Sequence, residues 1–353
     1  MATLPEPLGA DYFQARAINS DGVIAGDAQY PNYENIVYRL STAGFDHVGR
    51  LGTGLTAIAA GINAQGWIVG SSEITPELFS PVHAFLWDGA LIDLGVLAGR
   101  HSDAWDINDA GTVVGQSQAL NSQGALVSRA VVWSGDNILN LPRLATHDAS
   151  LAVAINNVGV IAGQSSIGPR YNDGPTAVLW RDGQIVQIGP LVPDAPWGYR
   201  FTTECIDMND DEVVVGRGQT GFNSGAGFMW EAGTLTLLPA LLPEDSPWDP
   251  YPAAINNAGQ IACHAFHRWD PAIHHALILT PPECRGFPRG DANCDGTINN
   301  FDIDAFVMSL ADVDAYATNF AACNWLCNLD INRDGSVNNF DIDPFVELLV
   351  SQP

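Results

Sequence analysis

The sequence contains no lysine, and its 14 basic side chains, all arginine, stand against 40 aspartates and glutamates, for a formal net charge of −26. Proteins that bind nucleic-acid phosphates or an anionic membrane leaflet use clusters of lysine and arginine. We therefore expect no nucleic-acid partner. The chain also lacks an apolar run of roughly 18 residues, which a membrane-spanning helix needs. We therefore expect no membrane span.

Signals for export and for common catalytic centres are also missing. The first residues form neither the basic segment nor the apolar segment of a signal peptide. No Gly-x-Ser-x-Gly, His-Glu-x-x-His or phosphate-binding loop occurs, so no catalytic residue is assigned. Paired carboxylates that could serve a glycosidase exist, but in so acidic a chain their presence means little.

Cysteine usage points in the opposite direction to the missing signal peptide. The chain has six cysteines, an even number, and four of them crowd into the last 70 residues: Cys284, Cys294, Cys323 and Cys327. Such density indicates disulfides and an oxidising compartment, so the expected location is extracellular or on a cell surface. All three pairings of the four remain open. Cys205 and Cys263 replace small repeat residues and either bridge two units or fill space.

What the chain has in abundance is repetition. An Ile-Asn-x-x-Gly phrase, with variations, recurs six times, and its asparagine falls at positions 19, 63, 108, 156, 209 and 256. Each copy lies between two short apolar runs, which is typical of a tight hairpin in which asparagine bonds its own turn and glycine accepts positive φ. Glu212 replaces the glycine in the fifth copy, so that turn is expected to be looser.

Two further phrases complete each unit. An apolar run such as His83-Ala84-Phe85-Leu86-Trp87 is followed by a polar turn and another short strand, as at residues 91–94, 185–188 and 235–238. Four strands in about 47 residues match a propeller blade. The last unit lacks a fourth strand, and residues 3–8 form an unassigned one. The expected fold is mainly β: a six-bladed β-propeller of four-stranded blades, with the N-terminal strand closing the last blade.

These phrases resemble the HAF-repeat family of extracellular repeat proteins, named for His-Ala-Phe as at residues 83–85, and the strand order resembles kelch propellers. The resemblance covers about residues 1–282. It implies a propeller and secretion, and it implies no reaction.

Long connections between the repeat strands are rich in aromatic residues and should gather on one face of the propeller. Aromatic rings beside aspartate and arginine suit sugar rings or a protein partner. The alternative is that the Pro-Trp segments pack down to hold the loops. The candidate ligand face consists of Trp197, Tyr199, Arg200, Trp248, Tyr251 and Trp269.

The C-terminal region carries two calcium-loop patterns. Oxygen-bearing residues recur at positions 1, 3, 5, 7, 9 and 12 of a twelve-residue loop with glycine at position 6, the arrangement that wraps Ca²⁺. The first loop supplies Asp291, Asn293, Asp295, Thr297, Asn299 and Asp302, and the second supplies Asp330, Asn332, Asp334, Ser336, Asn338 and Asp341. Two copies in register predict two bound calcium ions. An apolar helical pattern follows each loop.

Duplicated loop-helix halves without an entering helix resemble type I dockerin over about residues 289–350. The resemblance implies a small α-helical, calcium-folded module that docks onto a cohesin-like or other cell-surface receptor. It places the partner-binding residues at loop positions 10 and 11: Asn300, Phe301, Asn339 and Phe340. Dockerins often have serine or threonine there. The expected domains are a propeller (1–282), a linker (283–290) and the dockerin-like domain (291–353).

Three functions fit this organisation. The first is a secreted, monomeric, non-catalytic binding or adhesion protein whose propeller presents a carbohydrate- or protein-binding face and whose tail attaches it to a receptor. The alternative is a polysaccharide-degrading enzyme, a glycoside hydrolase or lyase, delivered by the tail. An acid pair flanked by aromatics inside the central pocket would favour the enzyme. In the third, the propeller is a spacer. Fold alone does not choose among them.

Overall fold

The computed structural model describes residues 7, 9–135, 137–189, 191, 201–221, 224–243, 245–280, 288–321, 323, 325–331 and 337–351. Its strands form six separate antiparallel sheets in chain order. The first three sheets are β1 (Tyr12–Ile18), β2 (Ile24–Gln29), β3 (Asn35–Ser41) and β4 (Gly44–Gly49); β5 (Ala57–Ile62), β6 (Ile68–Glu73), β7 (Val82–Trp87) and β8 (Leu91–Asp93); β9 (Ser102–Ile107), β10 (Val113–Leu120), β11 (Leu126–Ser134) and β12 (Asn137–Asn140).

The other three sheets follow the same plan. They are β13 (Ala149–Ile155), β14 (Ile161–Ser166), β15 (Pro175–Arg181) and β16 (Gln184–Gln187); β17 (Thr203–Met208), β18 (Val214–Gly221), β19 (Ser224–Glu231) and β20 (Thr234–Leu237); β21 (Trp248–Ile255), β22 (Ile261–His267) and β23 (Asp270–Leu279). Each sheet is one sequence repeat, and together they form the expected six-bladed β-propeller. The sixth sheet has three strands. Residues 3–8, expected to supply its fourth strand, lie outside the described residues except Pro7.

The blades are joined by apolar layers between successive sheets. One representative layer, between the third and fourth blades, buries Val114 and Ala130 against Ile161, Val178 and Trp180. Equivalent layers join blades one to two, two to three, four to five and five to six. Alternating side chains make this possible because each blade presents apolar residues to both neighbours. Within the described residues, no such layer joins the sixth blade to the first.

The repeated asparagine is explained by two sets of hydrogen bonds. Within each blade its side-chain oxygen closes the hairpin turn, as when the amide of Trp67 donates to Asn63 Oδ1 at 2.9 Å. Its side-chain nitrogen reaches the next blade, as when Asn63 Nδ2 donates to the Asn108 carbonyl at 3.2 Å. The same link is made from blades one, three, four and five. In the sixth blade Asn256 Nδ2 donates instead to Gln260 Oε1 at 2.9 Å.

The expectation of a looser turn at Glu212 is wrong. Glu212 takes a φ of 61°, the left-handed region that glycine takes in the other copies. Its amide donates to the Asn209 carbonyl at 3.1 Å, and Asn209 Oδ1 still accepts the Val213 amide at 2.9 Å. An ion pair with Arg181 also holds the Glu212 side chain. The asparagine bonds and this ion pair offset the unfavourable backbone conformation.

The C-terminal region is helical. It contains α1 (Asp302–Ala311), α2 (Val313–Asn319), α3 (Trp325–Leu329) and α4 (Ile342–Ser351), with a 3-10 turn over Asn339–Asp341. Its core holds Ala292, Phe306, Tyr316, Leu329 and Phe345. The rings of Phe306 and Phe345, one from each duplicated half, stack with centroids 4.1 Å apart. The expected boundaries, at 282 and 290, remain predictions.

Candidate functional sites

The propeller axis is an open cavity of about 980 Å³. Its wall includes residues of the innermost strand of every blade, β1, β5, β9, β13, β17 and β21, together with residues of β14, β18, β22 and β23. Small-molecule sites commonly occupy about 300–1,000 Å³. The volume of this cavity therefore suits a small ligand, or one or two units of a polymer. We call this cavity the central channel.

Two carboxylates lie on the channel wall, in the third and fifth blades. Asp106 accepts the amides of Ile107 and Ile155, each at 2.8 Å. Asp207 accepts the amides of Met208 at 2.8 Å and Ile255 at 2.9 Å. Each aspartate thus joins its own blade to the next one. Sequence reasoning missed both, although a repeat alignment shows aspartate where the other four copies have alanine or glycine.

Burial in the channel wall raises the pKa of both groups, because a carboxylate loses solvation there. The pKa of Asp106 rises to about 7, with burial the largest cause, opposed by its two amide bonds and assisted by the charge of Asp207. The pKa of Asp207 rises to about 6 for the same leading reason. The two carboxylates therefore change charge near neutral pH.

Other charged groups of the channel are paired. Arg16 Nε lies 2.7 Å from Asp27 Oδ1, and Arg217 lies 2.9 Å from Glu204 Oε2. Trp105 directly precedes Asp106 on β9 and is 39% exposed. The channel therefore combines an accessible aromatic ring with carboxylates and paired arginines, a surface suited to hydroxyl-bearing ligands.

The candidate ligand face predicted from sequence is only partly described. Trp197, Tyr199 and Arg200 lie outside the described residues. Trp248 and Trp269 come together at one end of the sixth blade, where the His267 ring contacts both at centroid distances of 5.3 and 5.6 Å. Neither Trp248 nor Trp269 lines the channel.

Tyr251 and the sixth-blade histidines have structural contacts. The Tyr251 hydroxyl donates to the Gly225 carbonyl of the fifth blade at 2.7 Å, which joins the fifth and sixth blades. The rings of His264 and His274 stack 5.1 Å apart. Across the described residues, no three His, Cys, Asp or Glu side chains converge in a metal-binding group.

The cysteines divide into two classes. Cys205 and Cys263 are buried free thiols, so they fill space between blades. Burial raises the pKa of the Cys205 thiol to about 12 and that of Cys263 to about 11, which keeps both unreactive. In the tail, Cys294 and Cys323 form a disulfide. Cys284 and the side chain of Cys327 lie outside the described residues, so the state of these two cysteines stays a prediction.

The first of the two predicted calcium loops is fully described, and its own carboxylates accept hydrogen bonds that close it. Asp291 accepts the amides of Asp295 at 3.1 Å and Gly296 at 2.8 Å. Asp302, at the other end, accepts the amides of Asn293 at 3.0 Å and Asn299 at 2.8 Å. These bonds bring the two ends of the loop together.

The carboxylates at the two ends of this loop are buried, and oxygen ligands of this kind are what the predicted calcium ion requires. Asp291 and Asp302 are both fully buried, and neither forms an ion pair with a described side chain. Two buried carboxylates in one loop repel each other, and burial raises the pKa of Asp291. A hard cation that prefers oxygen ligands would offset both charges. The donor types of this loop therefore suit a hard cation, but in the described structure its three carboxylates do not converge into a metal-binding group.

The described part of the second loop repeats the first. Asn338 Oδ1 accepts the Phe340 amide at 2.8 Å, as Asn299 Oδ1 accepts the Phe301 amide at 2.8 Å. Asp341 Oδ2 accepts the Asn338 amide at 2.9 Å. Asp330 is buried at the start of the loop. Asn332, Asp334 and Ser336 lie outside the described residues.

The expected partner-binding residues lie on the tail surface. Phe301 is 79% exposed and Phe340 is 78% exposed, and Asn300 and Asn339 beside them are exposed as well. The near-identical exposure reflects the duplicated loop geometry. Large aromatic side chains left in water at equivalent positions are typical of an interaction surface.

Comparison with protein-family models and with curated protein sequences gave no match. Among solved structures, the chain is similar to the β-propeller domain of the Trilobed protease from Pyrococcus furiosus, with a TM-score of 0.48 and 11% identity over 76% of this chain and 82% of that one. It is also similar to the six-bladed fungal lectin from Aleuria aurantia, with a TM-score of 0.37 and 12% identity over 78% and 95%.

A third similarity is to the Pyrococcus horikoshii acylaminoacyl peptidase, with a TM-score of 0.47 and 14% identity, over 76% of this chain but only 44% of that one. None of these similarities identifies a ligand or a reaction for this chain. Separately, none of the described helices is both long and apolar enough to cross a membrane.

Proposed function

We propose that this chain is a secreted binding protein that takes a carbohydrate ligand in the central channel and is attached through its C-terminal region to a cohesin-like or cell-surface receptor. The observation that carries the proposal is the channel, an open cavity of about 980 Å³ with Trp105 exposed on its wall. An aromatic face with polar neighbours is the usual surface for a sugar ring.

The carboxylate pair gives the enzymatic alternative its support. Asp106 and Asp207 form an acid pair with raised pKa values inside the central pocket, beside Trp105. Both oxygens of each carboxylate, however, accept backbone amides that join neighbouring blades. A general acid must move its proton to a leaving group, and these bonds favour a structural role. We therefore rank binding above catalysis.

A paired binding and turnover screen on a glycan panel tests the choice between the two functions. Binding without turnover is the expected outcome, and hydrolysis or elimination of any glycan would replace the binding function by the enzymatic one. Trp105→Ala should weaken binding by up to about tenfold, since aromatic contacts contribute about 0.5–1.5 kcal/mol. Trp269→Ala is the matched control, because Trp269 is exposed but lies off the channel. If both variants lost the same amount of binding affinity, the ligand would not bind in the channel.

The tail is proposed to fold around two calcium ions. When bound, calcium would supply the positive charge that Asp291 and Asp302 lack, and metal binding would then stabilise the folded tail. We expect EDTA to remove helical circular-dichroism signal from the full chain. Asp302→Asn should weaken calcium binding measured by calorimetry, whereas Asp304→Asn should not, because Asp304 is exposed on α1 outside the ligand set. An unchanged spectrum with EDTA would contradict the calcium assignment.

A further inference from the structure

The channel wall has a repeated hydrogen-bonding requirement at the end of each innermost strand. In every blade the register of the innermost strand shifts just before the repeated asparagine. The residue preceding each asparagine is Ile18, Ile62, Ile107, Ile155, Met208 or Ile255. The last four of these donate their amides to aspartate side chains. Because an innermost strand is a sheet edge, such amides need acceptors from the channel.

Two aspartates satisfy four of the six amides. Asp106 of the third blade serves the third and fourth blades, and Asp207 of the fifth blade serves the fifth and sixth. The acceptors thus follow an approximate threefold rule around the axis, in which one carboxylate of an odd-numbered blade satisfies two amides. By the same rule, one residue of β1 should accept the corresponding amides of the first and second blades.

That residue is Ala17, which has no acceptor to offer. No side chain among the described residues accepts the amides of Ile18 and Ile62. Ala17, Ile18, Gly61 and Ile62 all line the channel, so both amides belong to residues of the ligand cavity. The first third of the ring therefore has the two donors of the other thirds, but an alanine at the position from which their carboxylate comes.

The charge beside this position also differs from the other two thirds. Arg16 directly precedes Ala17 and lines the channel, whereas Trp105 and Ile206 precede the two aspartates. Arg16 is paired with Asp27, and its side chain remains 31% exposed. An external carboxylate here would meet two backbone donors and a nearby guanidinium, the partners that make charge-assisted hydrogen bonds.

We propose that the amides of Ile18 and Ile62 bind the carboxylate of an acidic sugar, a uronic acid, in the position that Asp106 and Asp207 fill in the other two thirds of the ring. This inference rests on the proposed function, in which the channel holds a glycan. The exposed ring of Trp105 in the same cavity favours a sugar acid, whose ring can stack on it, over an acidic peptide.

The titratable groups that line the cavity with this position determine the best conditions for a test. They are Arg16, Asp106, Tyr171, Glu204, Cys205, Asp207 and Arg217. Asp106 and Asp207, with pKa values of about 7 and 6, are largely uncharged at a mildly acidic pH and then repel an incoming carboxylate least. Calorimetric titrations of the full, calcium-loaded chain are therefore made at about pH 5.5, a value set by those two groups.

Three ligands and two variants make the test decisive. Glucuronate, glucose and acetate are titrated into the wild type, Ala17→Asp and Ala253→Asp. Ala17→Asp supplies the missing carboxylate within the chain, whereas Ala253→Asp adds the same charge elsewhere on the channel wall. We expect glucuronate to bind at least about tenfold more tightly than glucose, as a charge-assisted pair allows. Ala17→Asp should abolish that preference and Ala253→Asp should retain it. An unchanged or raised melting temperature of Ala17→Asp would show that it folds.

The outcomes separate this inference from the proposed function. Glucose binding with no preference for glucuronate, or a preference that survives Ala17→Asp, would overturn the carboxylate site and leave a glycan-binding channel. Acetate binding that is lost in Ala17→Asp, without binding of either sugar, would overturn the sugar assignment. Absence of binding by all three ligands would overturn the uronic-acid inference, and the wider glycan panel would then decide the function of the channel.

Discussion

Replacing Asn108 by alanine tests whether the repeated asparagine joins blades as well as closing turns. Asn108 Nδ2 donates to the Asn156 carbonyl at 3.2 Å, and Asn108 Oδ1 accepts the Thr112 amide at 3.0 Å. The side chain is buried. Each lost hydrogen bond costs about 0.5–1.5 kcal/mol net, and buried groups left without a partner cost more. We expect Asn108→Ala to lower the free energy of unfolding by about 2–3 kcal/mol, that is, about 1–1.5 kcal/mol for each of the two lost bonds.

The sixth blade provides the matched control. Asn256 makes the same turn bond, to the Gln260 amide at 2.9 Å, but its Nδ2 donates to Gln260 Oε1 and not to another blade. Asn256 is also exposed, so water replaces its lost bonds. Asn256→Ala should therefore cost about 1 kcal/mol less than Asn108→Ala, the contribution of one inter-blade bond.

Urea unfolding followed by tryptophan fluorescence measures both variants in the full chain, with calcium present throughout so that the tail is unchanged. A shift of the midpoint without a change of slope identifies a loss of stability. Equal losses in the two variants would refute the inter-blade role, because the turn bond would then account for the whole effect.

Three further predictions concern charge, docking and the disulfide. Burial raises the pKa of Asp106 to about 7, so the folded protein retains a proton that the unfolded chain releases near pH 4. The free energy of unfolding should therefore fall as the pH rises from about 4 through 7. In Asp106→Asn it should fall less steeply. The double variant Phe301→Ala/Phe340→Ala should weaken calcium-dependent capture by an immobilised type I cohesin at least about tenfold, while Val350→Ala, exposed on α4, should not; failure of the wild type to bind would exclude a cohesin receptor. Peptide mapping without reduction should recover Cys294–Cys323, and removing this bond across 29 residues should lower tail stability by about 2–4 kcal/mol; recovery of another pairing would contradict the tail fold.

The blades were predictable because their signals are local. Alternating apolar residues, glycine at positive φ and asparagine in the turn act within a few residues of one another, and copies at regular spacing reinforce each assignment. The strands after the polar turns, such as β8, β16 and β20, lie within one residue of their expected ends. Glu212 was misjudged because an asparagine bond and an ion pair hold a backbone conformation that its residue type alone disfavours.

The candidate ligand site was not predicted, since it depends on which strand edge faces the axis. Asp106 and Asp207 lie about 100 residues apart, and nothing in either local sequence places them in one cavity. The long-loop aromatics, chosen because of their composition, include Trp248 and Trp269, which lie off the channel. Composition identifies side chains that are able to contact a ligand, but only the arrangement of the blades determines which of them face the channel.

The sequence alone determined the number of blades, their strands and turns, and the two calcium-loop patterns, because these follow from residue types at short, fixed spacing. The tertiary structure alone decided how the blades are joined and what lines their axis. Asn63 Nδ2 finds the Asn108 carbonyl, and Asp106 finds the Ile155 amide, only when consecutive sheets stand side by side. The role proposed for Ala17 also depends on the arrangement of the blades, because only there does its lack of a carboxylate leave the amides of Ile18 and Ile62 for a ligand.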